Sequence, residues 1–105
     1  MKKYRSYDQY LIESLKNPEE ASAYLKASLE EALETNEMSI FQLAVRDVVE
    51  AQGGIAKVSS EMDVGRESFY KTLSPKGKPR FATIMQALKA CGFEMDFHPA
   101  HLKTA

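Results

Sequence analysis

Five side chains that can bind nucleic acid lie within six consecutive positions in the second half of the chain. Residues 66–71 read RESFYK, and all except the phenylalanine carry a polar group: Arg66, Glu67, Ser68, Tyr70 and Lys71. An arginine can pair with the O6 and N7 atoms of guanine, and a lysine can contact guanine or a phosphate. A solvated helix surface with a Glu67–Lys71 pair, which contributes only about a few tenths of a kcal/mol, explains the same residues. These residues by themselves leave both interpretations open.

A basic loop follows this stretch almost directly. Residues 74–80 read SPKGKPR, in which proline and glycine separate the cations Lys76, Lys78 and Arg80. An exposed basic turn of this kind suits phosphate contacts, which position a protein on DNA without reading its sequence. If four or five cations of this region contact phosphate, log affinity should fall with log salt at a slope of about −4. A merely solvated loop predicts no such slope, so the salt dependence separates the two interpretations.

Two short helices are needed to position these side chains. Apolar or small residues at helical spacing predict their buried faces, which are Ile55, Val58, Ser59 and Met62 in the first helix and Phe69 and Leu73 in the second. Between the helices we expect a left-handed backbone at Asp63, Val64 filling the turn from inside, and Gly65 capping the second helix. Two helices joined by such a tight turn are typical of a helix-turn-helix, whose second helix enters the DNA major groove.

Three further helices are expected around this pair. Asn17 and Pro18 open a helix that runs to about residue 34, because Asn caps free N–H groups and Pro fits the first turn. Ser39 with Gln42 resembles a capping box that opens a second helix to about residue 52. The apolar surface of that second helix is too wide for one exposed face, which predicts a central core helix. The segment FATIMQALKAC predicts a last helix that ends before Gly92.

A single β-strand is expected near the C-terminus. The segment FEMDF alternates apolar and acidic residues and places Phe93, Met95 and Phe97 on one face. A lone strand leaves its backbone groups unpaired, and pairing with the same strand of a second copy across a two-fold axis satisfies them. Such a homodimer could present two recognition helices about 34 Å apart, at successive major grooves. Pairing with another strand of this chain, or with a partner protein, is the alternative.

Length and charge fit one small folded domain. The chain has 105 residues, 44% hydrophobic and 28% charged, which is enough for a single core. The net charge is −1, yet it is unevenly distributed: residues 1–50 hold six basic and ten acidic residues, whereas residues 51–89 hold seven basic and three acidic residues. The basic charge therefore lies where the helix pair and the loop lie.

No feature predicts catalysis, a metal site or a cofactor. There is no glycine-rich phosphate loop, no Ser/His/Asp arrangement and no distinctive carboxylate pair. Cys91, His98 and His101 are too few for a metal site, and Cys91 is expected to be a buried, reduced thiol. No apolar run approaches the roughly 20 residues that span a bilayer, and the first residues lack a signal-peptide pattern. We therefore expect a cytoplasmic protein that is not an enzyme and has no membrane partner.

The stretch from Tyr10 to Phe97 resembles the small antitoxins of the HigA type, often labelled addiction-module antidote proteins, within the lambda-repressor-like helix-turn-helix group. The similarity is carried by YLIESLKNPEEASAYLKASLEEALE and by FQLAVRDVVEAQGGIAKVSSEMDVGRESFYKTLSPKGKPRFATIMQALKACG, of which GRESFYKTLSPKGKPRF is the most specific part. Family members more often have Gly where Asp63 stands and Ser where Gly65 stands. These two differences affect how strongly the end of the first helix and the start of the second are capped. The resemblance implies a dimeric antitoxin that binds its own promoter and a RelE-like toxin, an mRNA-cleaving ribonuclease. It also places residues 66–71 on the recognition helix.

Together these patterns predict an all-α, lambda-repressor-like helix-turn-helix fold with a terminal β-strand. Residues 1–37 are expected to form an N-terminal helical extension, residues 38–97 the DNA-binding domain with its strand, and residues 98–105 a C-terminal tail. The predicted function is the antitoxin of a type II toxin-antitoxin system, a homodimer that represses its own operon on double-stranded operator DNA and neutralises the toxin. A stand-alone phage-type regulator and a toxin-binding module that does not read DNA are the alternatives.

Overall fold

Six helices make up the fold of residues 2–100. The computed structural model describes the backbone of residues 2–100 and the side chains of residues 7–100, so that His101 and the rest of the predicted tail beyond residue 100 lie outside the described residues. The helices are α1 (Lys2–Ser14), α2 (Pro18–Thr35), α3 (Ser39–Ala51), α4 (Gly54–Met62), α5 (Arg66–Thr72) and α6 (Phe81–Ala90). The all-α prediction is confirmed, and the predicted ends of the two long helices α2 and α3 are correct to within one residue.

Helix α2 begins and ends on short-range polar contacts. The side-chain oxygen of Asn17 accepts hydrogen bonds from the backbone N–H groups of Glu19, at 2.8 Å, and Glu20, at 3.2 Å. Pro18 occupies the first turn, where its missing N–H costs nothing. At the other end Asn36 adopts a left-handed conformation with φ 59°, which turns the chain toward α3. The N-cap predicted for this helix is confirmed.

Helix α3 is the centre of the fold. It packs against α1, α2, α4 and α6, and Val45, Val48 and Val49 on it are fully buried. One apolar cluster joins these valines to Leu15 and Ala21 on the N-terminal side and to helices α4, α5 and α6 on the other. Because a fully buried aliphatic side chain contributes about 1.5–3 kcal/mol, this shared cluster accounts for most of the packing energy that holds the helices together.

Two polar contacts attach the N-terminal helices to α3. The side-chain amide of Gln52 donates to the carbonyl oxygens of Leu15, at 2.8 Å, and of the next residue, at 3.3 Å. The hydroxyl of Tyr24 on α2 donates to the carboxylate of Asp47 on α3 at 2.6 Å. Burial raises the pKa of Asp47 above its usual value despite this hydrogen bond, and burial likewise raises the pKa of Tyr24. The hydrogen bond therefore joins two helices while leaving a carboxylate in an unfavourable environment.

The predicted capping box of α3 is wrong. Met38, not Ser39, occupies the N-cap, its backbone is helical, and no side chain caps the helix. Gln42 does not reach back to the helix start, because its side chain is buried and its amide donates to loop carbonyls elsewhere in the fold. A buried amide must find acceptors, and the nearest ones belong to another segment of the chain.

The predicted C-terminal β-strand is not formed. Residues 93–100 have no regular secondary structure, and no strand occurs within residues 2–100. Phe93 closes α6 by donating its N–H to the carbonyl of Leu88 at 2.9 Å, after a left-handed Gly92. Met95 is 36% exposed and Phe97 86% exposed. A strand needs a neighbour to pair its backbone groups, and the described part of the single chain supplies none.

The single cysteine of the sequence, Cys91, lies directly after α6. Its thiol is half-buried, and burial raises its pKa to about 11. Such a thiol is protonated at neutral pH and a poor nucleophile.

Among the described residues no helix, α6 included, has both the length and the apolar character needed to cross a bilayer.

Candidate nucleic-acid interface

A three-residue turn joins α4 to α5. Asp63 has a left-handed backbone with φ 59°, and Gly65 is the extended N-cap residue of α5, both as predicted. The N–H of Asp63 donates to the carbonyl of Ser60 at 3.1 Å, and the N–H of Val64 to that of Ser59 at 3.0 Å. These bonds satisfy carbonyls at the end of α4 and fix the direction in which α5 leaves. The prediction for Val64 is wrong, because its side chain is 43% exposed and does not fill the turn.

Four of the six residues predicted for the inner face of the helix pair are buried, whereas Ile55 and Met62 are only partly buried against the core. Val58 and Ser59 on α4 are 1% and 2% exposed, and Phe69 and Leu73, on α5 and at its end, are 3% and 0% exposed. The hydroxyl of Ser59 donates to the carbonyl of Ala56 at 3.1 Å, so this buried polar group is satisfied. One deeply buried side chain at the centre of the seven-residue helix α5 and one directly after it pack this helix against the core.

All five predicted base-reading side chains lie on the surface. With Phe69 turned inward, the exposed residues of α5 are Arg66, Glu67, Ser68, Tyr70 and Lys71. The Glu67–Lys71 pair that a merely solvated helix would use is not formed, since the ion pair found among residues 7–100 joins Lys16 to Glu13. The cations of α5 are therefore not neutralised by neighbouring side chains of the described part of the chain.

The basic loop is fastened to the start of α3 by one buried side chain. Gln42 is 8% exposed, and its amide nitrogen lies 2.6 Å from the carbonyl oxygen of Ser74 and 2.9 Å from that of Gly77. A third carbonyl, that of Thr72, lies at 3.5 Å. The N–H of Gly77 also donates to the carbonyl of Ser74 at 2.9 Å, which closes the turn. The three predicted phosphate-contacting side chains, Lys76, Lys78 and Arg80, project from this fastened loop into solvent.

Glycine is required at the centre of the loop. A Cβ atom on Gly77 would lie 2.1 Å from the carbonyl oxygen of Thr72 and 2.5 Å from that of Lys71. Both are backbone atoms at the end of α5, so they cannot move aside as a flexible side chain could. The loop that carries the exposed cations Lys76 and Lys78 is thus held directly against the backbone at the end of the candidate recognition helix.

Sequence reasoning missed two residues of this surface, Gln42 and Arg46, both on α3. The guanidinium of Arg46 donates to the hydroxyl of Tyr70 at 2.9 Å, and its central carbon lies 4.7 Å from the centre of the tyrosine ring. Gln42 holds the loop as described above. The available signal was that each is a long polar side chain on a helix whose wide apolar surface predicts burial on several sides, where a polar group needs a partner. The identity of the partner, some 24 to 35 residues away, is not encoded in local spacing.

Comparison with known proteins covers nearly the whole chain. Residues 4–99 match the protein family described as "Probable addiction module antidote protein". An uncharacterized protein of Haemophilus influenzae (strain ATCC 51907 / DSM 11121 / KW20 / Rd) is 30% identical over 84 residues, which is 80% of this chain and 81% of that protein. No solved structure matches the chain significantly. The family match includes helices α2 to α6 and the basic loop.

Proposed function

The chain belongs to the family of probable addiction module antidote proteins, and from this membership we infer that it acts as the antitoxin of a type II toxin-antitoxin system. We propose more specifically that it represses its own operon by binding operator DNA and neutralises a RelE-like, mRNA-cleaving toxin. Its action on DNA would be occupancy of the operator rather than catalysis, in keeping with the absence of any recognised catalytic motif in the sequence.

One observation carries the DNA-binding half of the proposal. The exposed face of α5 and the cations of loop 74–80 are joined by backbone contact at Gly77 and fixed by the buried amide of Gln42. Helices α4 and α5 would act as a helix-turn-helix, with α5 entering the major groove. In this arrangement Arg66, Tyr70 and Lys71 are suited to base edges, and the loop cations to flanking phosphates. Residues 51–89 carry the positive charge that such a surface needs.

Exposed apolar side chains support the proposal that the chain also binds protein partners. Phe81 is 69% exposed, Met38 51% and Phe97 86%, and the first two line a groove of about 740 Å³. Clustered apolar exposure of this kind is typical of interaction surfaces. The proposed homodimer would cover the segment of Phe93, Met95 and Phe97, whose backbone groups find no strand to pair with among residues 2–100. Sedimentation of wild type and Phe97→Ser at micromolar concentrations tests this, and equal monomer masses for both would refute the dimer.

The first experiment is a fluorescence-anisotropy titration of a labelled duplex from immediately upstream of the gene, against a scrambled duplex, at two salt concentrations. The proposal expects salt-dependent binding that prefers the upstream duplex by about 10³-fold or more. Arg66→Ala should cost about 1–3 kcal/mol on that duplex. Lys26→Ala is the matched control, because Lys26 is an exposed cation on α2, outside the proposed surface, and its loss should leave affinity unchanged.

Equal, weak binding of both duplexes would refute operator recognition and favour the alternative in which the chain only masks a toxin. Family membership supports that alternative independently of DNA. It is tested by co-expressing the chain with the product of the neighbouring gene: recovery of growth and a co-purifying complex support toxin neutralisation. Operator binding without any such complex would instead favour a stand-alone regulator.

A further inference from the structure

Arg46 and Tyr70 form a contact between α3 and the candidate recognition helix that the sequence pattern does not explain. The Nη2 atom of Arg46 lies 2.9 Å from the Tyr70 hydroxyl oxygen, and the guanidinium carbon lies 4.7 Å from the ring centre. Tyr70 is 46% exposed, so this contact lies at the protein surface. Neither residue belongs to the buried cluster. A half-buried arginine and an exposed tyrosine, held in one geometry outside the buried cluster, call for a functional explanation.

The direction of the hydrogen bond determines what the tyrosine can still do. A guanidinium has five N–H donors and no acceptor, so the Tyr70 oxygen must be the acceptor in this pair. The hydroxyl hydrogen then remains to be donated, and no acceptor for it is found among residues 7–100. A partner that offers a hydrogen-bond acceptor can use this hydrogen in place of the water that otherwise binds it at the surface. Phosphate oxygens, guanine O6 and N7, and thymine O4 all meet this condition.

We propose that Arg46 positions Tyr70 as a hydrogen-bond donor to an acceptor on DNA, so that the two residues act as one recognition unit spanning α3 and α5. This rests on the proposed function, since it concerns the same surface. Arg46 is a positioning residue, and Tyr70 is the residue that contacts DNA. The phenol is held in place before binding, which reduces the conformational entropy lost when the complex forms.

Arginine is the suitable residue for this task. Its planar group can interact with the aromatic ring and donate to the hydroxyl at the same time, which the ammonium of lysine cannot do from one position. Arg46→Lys therefore keeps the positive charge and removes the positioning. Tyr70→Phe keeps the ring beside Arg46 and removes only the hydroxyl. Arg46→Lys thus distinguishes the positioning of Tyr70 from the effect of the positive charge. Tyr70→Phe distinguishes the hydrogen bond donated by the hydroxyl from the packing of the ring.

The experiment measures binding of the labelled upstream duplex by wild type, Arg46→Lys, Tyr70→Phe and the double variant, with thermal melts to show that each is folded. Each single variant should weaken binding by about 3- to 10-fold, the equivalent of one net hydrogen bond. The double variant should bind no more weakly than Tyr70→Phe, because Arg46 acts through the hydroxyl. Tyr10→Phe is the matched control, since Tyr10 is a 73% exposed tyrosine on α1, and it should bind as wild type does.

The outcomes are distinct. A loss on Tyr70→Phe that is confined to the upstream duplex identifies a base acceptor, and an equal loss on the scrambled duplex identifies a phosphate; both support the proposal. Unchanged affinity of Tyr70→Phe, or additive losses in the double variant, would overturn it while leaving operator binding intact. If wild type itself fails to distinguish the two duplexes, the proposed operator recognition has failed first, and the recognition unit fails with it.

Discussion

Replacing Gln42 by alanine should loosen the basic loop while leaving the remainder of the fold in place. The Gln42 amide satisfies two loop carbonyls, at 2.6 and 2.9 Å, from a side chain that is 8% exposed. Removing one partner of a buried hydrogen bond costs about 1–3 kcal/mol, because the other partner is left without water or protein. The Ser74 and Gly77 carbonyls lie in a surface loop that water can reach, so the lower half of that range is expected.

Two measurements follow from this magnitude. The free energy of unfolding in urea should fall by about 1–2 kcal/mol. Amide hydrogen exchange in residues 74–80 should accelerate more than exchange in α3, because the N–H of Gly77 is bonded within the loop that Gln42 fastens. In the DNA titration, the salt slope should become shallower by about one to three units, since each lost phosphate contact removes about 0.9. These effects share one cause and should appear together.

Gln52→Ala is a matched control that removes the same chemistry elsewhere. The Gln52 amide also donates to two backbone carbonyls, those of Leu15 and Lys16, but it ties the end of α1 to α3 instead of holding the loop. It should lower stability without accelerating exchange in residues 74–80 or changing the salt slope. If Gln42→Ala leaves exchange of the loop at the wild-type rate, or if both variants alter DNA binding equally, the assignment of Gln42 as the fastening residue is wrong.

Three further predictions concern single positions. Gly77→Ala should destabilise the chain by about 1–3 kcal/mol in urea unfolding because its Cβ would overlap backbone oxygens. Gly65→Ala should cost less than about 1 kcal/mol, because its Cβ would make an ordinary van der Waals contact with the Ser68 side chain at 3.9 Å. Asp47→Asn keeps a hydrogen-bond acceptor for the Tyr24 hydroxyl and removes the negative charge of the carboxylate. Burial raises the pKa of that carboxyl group above 3.8. Above the pKa that Asp47 has in the folded protein, the buried carboxylate is ionised and its full cost to the folded state applies. The variant should therefore be more stable than wild type at pH 7, and its advantage should shrink as the pH falls toward 3.8, where the wild-type carboxyl group becomes neutral. Cys91, with a pKa of about 11, should react with iodoacetamide at pH 8 far more slowly in the folded than in the urea-unfolded chain.

Each of these has a contradicting result. Equal stability of the two glycine variants would mean that the loop backbone is free to move away from α5. A less stable Asp47→Asn at pH 7 would mean that the carboxylate gains more from its neighbours than it loses on burial. Alkylation of the folded chain at the unfolded rate would mean that Cys91 is exposed to solvent in a conformation that opens readily.

Local physics made much of this fold predictable. The Asn17 cap, the left-handed Asp63 and the N-cap Gly65 each depend on atoms within four residues along the chain. The inner stripe of Phe69 and Leu73 follows from helical spacing and apolar character. Such features are set by the order of residues, so the type and approximate ends of the main helices follow from the amino-acid sequence alone.

The contacts that organise the candidate site are of another kind. Ser39 and Gln42 fit a local capping pattern, but a buried amide satisfies loop carbonyls more than 30 residues away, and that requirement prevails. Val64 is apolar, yet the hydrogen bonds that close the turn leave its side chain outside. For Gln42 a distant segment decided between locally acceptable conformations, and for Val64 the backbone hydrogen bonds of the turn outweighed the apolar character of the side chain. A pattern of spacing describes neither effect.

The C-terminal segment is a further case in which a local pattern did not determine the structure. Alternation of Phe93, Met95 and Phe97 with acidic residues is what a half-buried strand requires, yet the segment is irregular and Phe97 is almost fully exposed. Alternation specifies which face can be buried and not whether a surface exists to bury it. A strand forms when its backbone groups find partners, and the described part of the single chain supplies none. In the proposed homodimer the same segment of a second copy would supply them, and sedimentation of wild type and Phe97→Ser tests that proposal.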